Sequence, residues 1–335
     1  MAATLYTGNG STLSVSNAVN GVSMQPDLVW VKGRSVAYSH GLYDSVRGAT
    51  KRLISNLTNA EDTLSGVTAF NSGGFSLGSD INFNENAATY VGWQWKGGGT
   101  PVSNTAGSIT SSVSANTTAG FSVVTYTGTG AVGATVGHGL GVAPSLIIQK
   151  PRSAGTSDDN WHVYHSSIGA TGALSLNTTS GTSTSAVWWN NTAPTSTVFT
   201  VGGSGAAGYT NNSGSTYLAY CFAAVAGYSA FGSYTGNGSA DGTFVYLGFR
   251  PRFILAKASS AVADWVIVDT ARDTYNGMQN QLFPNLSNAE STGTVRFDAL
   301  SNGFKLRVAG DPNNSGVTYI YMAFAETAFK FSNAR

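Results

Sequence analysis

The chain has 335 residues, with 42 glycines, only 8 prolines and 10% charged residues, against roughly 25% charged in an ordinary globular protein, so its solubility rests on Gly, Ser, Thr and Asn. Lys and Arg total 17 and Asp and Glu 16, a net charge of +1 that offers no basic field to nucleic acid or anionic lipid. The single cysteine, Cys221, excludes an intramolecular disulfide and a thiolate metal cluster within the chain. No run approaches 18 apolar residues and no charged-then-apolar leader opens the sequence, so neither leader-directed export nor membrane insertion is expected.

In chain order, one set of landmarks appears three times. Tyr6-Thr7-Gly8-Asn9-Gly10 returns as Tyr126-Thr127-Gly128-Thr129-Gly130 and Tyr234-Thr235-Gly236-Asn237-Gly238, with starts 120 and 108 residues apart. A proline then precedes an apolar run ending in lysine six positions on: Pro26 to Lys32, Pro144 to Lys150, Pro251 to Lys257. A second apolar stretch follows at 41–44, 161–165 and 265–269. Asn56-Leu57-Thr58-Asn59-Ala60-Glu61 matches Asn285-Leu286-Ser287-Asn288-Ala289-Glu290, while the second copy has drifted there.

The last landmark is a strand that begins at Thr89-Tyr90, Thr216-Tyr217 and Thr318-Tyr319. At period two, one face holds Val91, Trp93 and Trp95, then Leu218, Tyr220 and Phe222, then Ile320, Met322 and Phe324, and this face must be core. The opposite face, which includes Cys221, is expected to be half-buried. The recurring lysines are expected to bury their stems and snorkel their ammonium groups into solvent.

Short strands bounded by Gly, Asn, Ser and Pro, with no long helical period, make the chain all-β: three tandem diverged β-sandwich or barrel-like repeats of about 100 residues each. The boundaries fall at 1–97, 121–227 and 228–335, with 98–120 a Gly/Ser/Thr-rich linker or polar edge strand. At most one short helical turn is expected, around 44–53 or its equivalent 269–276. The short join at Ala226-Gly227-Tyr228 predicts that the second and third repeats form the more rigid pair.

Candidate chemistry is sparse. Asp44 with Arg47, and Asp269 with Arg272, recur as a spaced pair, whereas the second copy has His165 and Ile168. Asp44 with Glu61, or Asp269 with Glu290, would act as a glycosidase pair only at a separation of roughly 5–9.5 Å. Duplication of the acids points to framework, and no enzyme and no catalytic residue are expected. His162 and His165 point to opposite faces of a strand and make a poor metal site. Asp158-Asp159-Asn160 and Asp311-Pro312-Asn313-Asn314 read as turns, with calcium an open alternative. No metal site and no cofactor are therefore expected. Aligned with Phe70 and Phe297, Trp189 is core, which turns Trp188 outward beside Asn190 and Asn191. These three residues form a candidate ligand-binding site suited to stacking on a sugar ring, or else a contact between domains or subunits.

The run Gly107-Ser108-Ile109-Thr110-Ser111-Ser112-Val113-Ser114-Ala115-Asn116, leading through Thr118-Ala119-Gly120-Phe121-Ser122 and Tyr126-Thr127-Gly128 to His138-Gly139-Leu140-Gly141-Val142-Ala143-Pro144, resembles repeat-containing virion structural proteins of tailed bacteriophages. Asp44-Ser45-Val46-Arg47-Gly48-Ala49-Thr50-Lys51, Asn59-Ala60-Glu61 and Thr89-Tyr90-Val91-Gly92-Trp93 fit the same family. The resemblance implies a tail fibre or tail-appendage protein that contributes to host-surface contact; a lectin-like carbohydrate-binding module and a capsid decoration protein are the alternatives. It implies a location in the virion, on the tail rather than the capsid, after assembly in the host bacterial cytoplasm. The implied partners are other virion proteins, further copies of the chain in a trimer by analogy with phage fibres, and a host surface glycan or receptor. Its motifs are structural, so no site residues transfer.

Overall fold

Runs rich in Val, Ile, Phe and Tyr between glycine and asparagine turns fold as short antiparallel strands. Among the described residues the chain is all-β apart from two four-residue helices, Ile81–Asn84 and Gly208–Asn211, and isolated turns. The computed structural model describes residues 1–18, 23–155, 158–202 and 208–326.

One sheet runs in spatial order Ala2–Thr7, Thr89–Trp95, Leu28–Gly33, Gly41–Asp44. Phe121–Thr127, Thr216–Phe222, Leu146–Pro151 and His162–His165 stand in the same order inside an eight-stranded sheet. Ser229–Thr235, Thr318–Ala325, Pro251–Ala258 and Val266–Asp269 repeat that order in a third. Register is preserved as well: Tyr6 lies opposite Tyr90, Tyr126 opposite Tyr217 and Tyr234 opposite Tyr319. The rings of these pairs stack at 5.1, 5.0 and 5.1 Å. The glycine of each Tyr-Thr-Gly is required by space, because a Cβ on Gly8, Gly128 or Gly236 would lie 2.1, 2.3 or 2.3 Å from the carbonyl oxygen of Glu85, Asn212 or Asn314.

The central strands are buried on both faces, so the half-buried expectation is corrected. One face of each packs with Tyr90, with Tyr217, Ala219 and Cys221, or with Tyr319, Tyr321 and Ala323 into three separate clusters. Smaller outer strand pairs or sheets cover these clusters: Leu13–Ser16, Gly74–Leu77 and Val67–Asn71; Ala134–Gly137 and Val198–Val201; Phe244–Tyr246, Gly303–Leu306, Phe297–Leu300 and Gly277–Met278. The opposite faces, predicted to be core, converge on one cluster fed by all three sheets. At its centre Trp95, Phe222 and Phe324, which hold the same position in their strands, meet edge to face at 6.1 Å (Trp95–Phe222), 5.8 Å (Trp95–Phe324) and 6.0 Å (Phe222–Phe324).

The short helical turn expected near 44–53 and 269–276 is present at both places as a single turn that is not continued: Gly48 N donates to Asp44 O at 3.1 Å and Asp273 N to Asp269 O at 3.2 Å. The Asp44 and Asp269 carboxylates accept from the amides of Arg47 and of Ala271 and Arg272, as at a helix start. Of the two readings of residues 98–120, the edge strand is the one observed: Val102–Asn104 forms the edge of the eight-stranded sheet and pairs with Ser111–Asn116, and Ile109 and Val113 enter the second cluster.

Candidate functional site

The polar side chains that the sequence singled out gather where one copy of the landmarks meets the next. The lysines do not snorkel: all three are buried, and each ammonium donates to a carbonyl of a neighbouring copy. Lys32 reaches Ser287 O at 3.2 Å, Lys150 reaches Thr58 O at 3.0 Å and Lys257 reaches Thr179 O at 3.1 Å. The direction is cyclic, first copy to third, second to first, third to second. A second set of bonds repeats the cycle, since His40 Nε2 bonds Phe283 O, Trp161 Nε1 donates to Ile54 O and Trp265 Nε1 donates to Ser175 O. Because Trp30 Nε1 donates to His40 Nδ1, the His40 proton sits on Nε2 and that ring serves as the donor tryptophan provides elsewhere.

Burial lowers each of the three ammonium groups from its ordinary 10.5 to about 8. Between those values the unfolded chain binds more protons than the folded one, so stability rises with pH across that window. It falls again above about pH 10, where buried Tyr6, Tyr126, Tyr220 and Tyr234, raised by burial, resist an ionisation that unfolding allows. Urea midpoints through this range are expected to show the rise, and Lys150→Met to make it shallower; a flat profile in the parent chain would contradict the buried ammonium groups.

The acidic pairs are not free. Arg47 Nε meets Asp44 at 2.5 Å and its Nη1 meets Glu61 at 3.0 Å, while Arg272 does the same for Asp269 and Glu290 at 2.6 and 2.9 Å. Each glutamate also takes a two-pronged bond from another copy, Arg152 on Glu61 and Arg34 on Glu290. With a guanidinium between them, the carboxylates of either pair cannot flank a scissile bond. The equivalent junction of the third copy with the second keeps the backbone bond, Thr182 N to Ser259 O at 2.8 Å. Among the described residues it has no ion pair at that place, and Ala263 N donates to Thr179 O at 3.0 Å beside it.

Trp189 is buried as expected, but by a different alignment. Val67 opposes Leu77 and Phe297 opposes Leu306, so Phe297 corresponds to Val67, not to Phe70. Residues 186–191 form a turn with no counterpart strand. In it Trp188 is half-buried, its ring 6.3 Å from both His162 and Tyr209, and its indole nitrogen is buried. It is therefore not the outward strand residue expected. Asn190 and Asn191 adopt φ of 48° and 52°, a left-handed pair that asparagine tolerates, and this accounts for the dipeptide as turn chemistry.

Asp158 holds Asn160, and Asp311 accepts from Tyr319, so both acidic turns are satisfied internally. No group of three metal-ligating side chains occurs among the described residues. A shallow depression of about 350 Å³ is lined by Ser103, Thr110, Thr125, Thr127 and Arg152, the last being the partner of Glu61. The sequence reading missed Phe244 and Tyr246, which are exposed on an outer edge strand; the alternation Phe244-Val245-Tyr246 beside Ser14-Val15-Ser16 was the available signal.

No curated protein and no solved structure matches the chain. One family model matches residues 1–328, so all three sets of landmarks fall within a single family unit. The chain belongs to that family, DUF7483, described as a domain of unknown function.

Proposed function

We propose that the chain is a structural component of a tailed-phage virion, a tail fibre or tail-appendage protein, built from three diverged copies of one β-sandwich unit closed around a pseudo-threefold axis. The observation that supports this reading best is the cyclic bonding of the lysines, in which each copy hands its buried cation to another and the third closes on the second. Ring closure of this kind spends the recurring polar residues on shape and leaves the carboxylates neutralised by arginine. A chain that carries its own three units supplies by itself what three separate subunits supply in a fibre, so a further trimer is not required for the ring.

An antibody against the purified chain, applied to intact particles and imaged by electron microscopy, tests the assignment. Label on the tail is the expected result. Label on the capsid would favour decoration, and absence of the chain from purified particles would end the virion reading.

A further inference from the structure

The outer sheet of the third copy ends in the strand Phe244–Tyr246, which has Gly303–Leu306 on one side and an open edge on the other. Val245 faces the core, while Phe244 is 44% and Tyr246 66% exposed. Leu306 N donates to Thr243 O and Leu247 N to Asn302 O. These bonds bracket Val245 and Phe304 as a hydrogen-bonded pair, and the backbone groups of Phe244 and Tyr246 therefore point out of the edge.

The matching strands show how such an edge is treated elsewhere in the chain. Thr135 and Gly137 hold the equivalent positions in the second copy, set by Val136 opposite Phe199. That edge is closed by the chain itself: Ile109 N donates to Thr135 O at 2.9 Å, Thr135 N to Ser108 Oγ at 2.8 Å and Ser111 Oγ to Gly137 O at 2.8 Å. In the first copy the positions are the exposed hydroxyls Ser14 and Ser16. Only the third copy has aromatics there, within Gly242–Phe249, a stretch free of the charges and prolines that normally guard an edge.

We propose that a second copy of the chain pairs with this edge, antiparallel, about a twofold axis through Val245. In that register Phe244 of each copy lies opposite Tyr246 of the other, and the outward N–H and C=O groups of both residues are all used. Each aromatic gains an aromatic directly across the strands, and two four-stranded outer sheets become one eight-stranded sheet. The alternation is its own complement, as an isologous contact requires. This pairing does not depend on the virion assignment.

Light scattering on the full chain over a dilution series is expected to give twice the 34.5 kDa of one chain at high concentration, and Phe244→Lys or Tyr246→Lys to leave only monomer with thermal unfolding unchanged. An equimolar mixture of F244C and Y246C chains is expected to cross-link under mild oxidation, since directly opposed residues in a hydrogen-bonded pair have Cα atoms about 5.5 Å apart. Neither variant should cross-link alone. A monomer at every concentration, a trimer, a dimer untouched by both lysine variants, or equal cross-linking of F244C by itself would each overturn the pairing.

Discussion

Replacing Phe222 by alanine is expected to lower the unfolding free energy by about 3–5 kcal/mol, the range for a large aromatic removed from a packed core. Phe222 is buried and touches Phe121 of its own sheet at 4.8 Å, Trp95 of the first copy at 6.1 Å and Phe324 of the third at 6.0 Å. Three sheets hold the walls of the space it would leave, and none can move inward without disturbing the other two, so relaxation is limited. The loss should also fall on the whole chain together. Tryptophan fluorescence reports Trp93 and Trp95 in the first copy, Trp161 in the second and Trp265 in the third, all contributors to the shared cluster. Guanidinium unfolding followed by fluorescence and by far-ultraviolet circular dichroism should give coincident transitions in both parent and variant, shifted together. A split transition in the variant would mean that the copies fold on separate cores.

Some of this architecture was legible in the sequence. The period-two face ending in Trp95, Phe222 and Phe324 announced core, and the Tyr-Thr-Gly turns marked equivalent strands. What periodicity cannot say is whose core a face belongs to: the same alternation serves a sandwich interior or a shared centre, and the residues that decide between them lie more than 100 positions apart. The lysines illustrate the same limit. A strand-end lysine normally keeps its head in water, and only the carbonyls of Ser287, Thr58 and Thr179, supplied by other copies, allow Lys32, Lys150 and Lys257 to do otherwise. Trp188 was misplaced because the alignment assumed a strand where residues 186–191 turn, and a turn has no fixed inward and outward face.

The drift of the second copy at His165 follows from what that position faces, and it carries the sharpest test. Asp269 accepts from Trp93 Nε1 of the first copy at 2.9 Å, and Asp44 accepts from the Tyr220 hydroxyl of the second at 2.9 Å. The residue of the third copy that matches Trp93 and Tyr220 is Met322, which has no proton to give. A carboxylate at 165 would lack that donor, and with Ile168 in place of arginine it would also lack its cation. His165 is instead held neutral by burial, which lowers it to about 4, and its Nε2 bonds the Tyr321 carbonyl at 3.2 Å. Donor and acceptor have exchanged sides, so the loss of the Asp–Arg pair is an adaptation of the junction and not decay. Removing one partner from a buried pair leaves an uncompensated charge, and Asp269→Ala is therefore expected to cost about 3–5 kcal/mol. His165→Asp should be comparably damaging, because it creates the same uncompensated charge from the other direction. Adding Ile168→Arg and Met322→Tyr to His165→Asp should recover most of that loss, whereas neither addition is expected to stabilise the parent chain. Denaturant unfolding of the parent, the variants and their combinations gives the coupling energy, and strict additivity across the three positions would refute the complementarity of this junction.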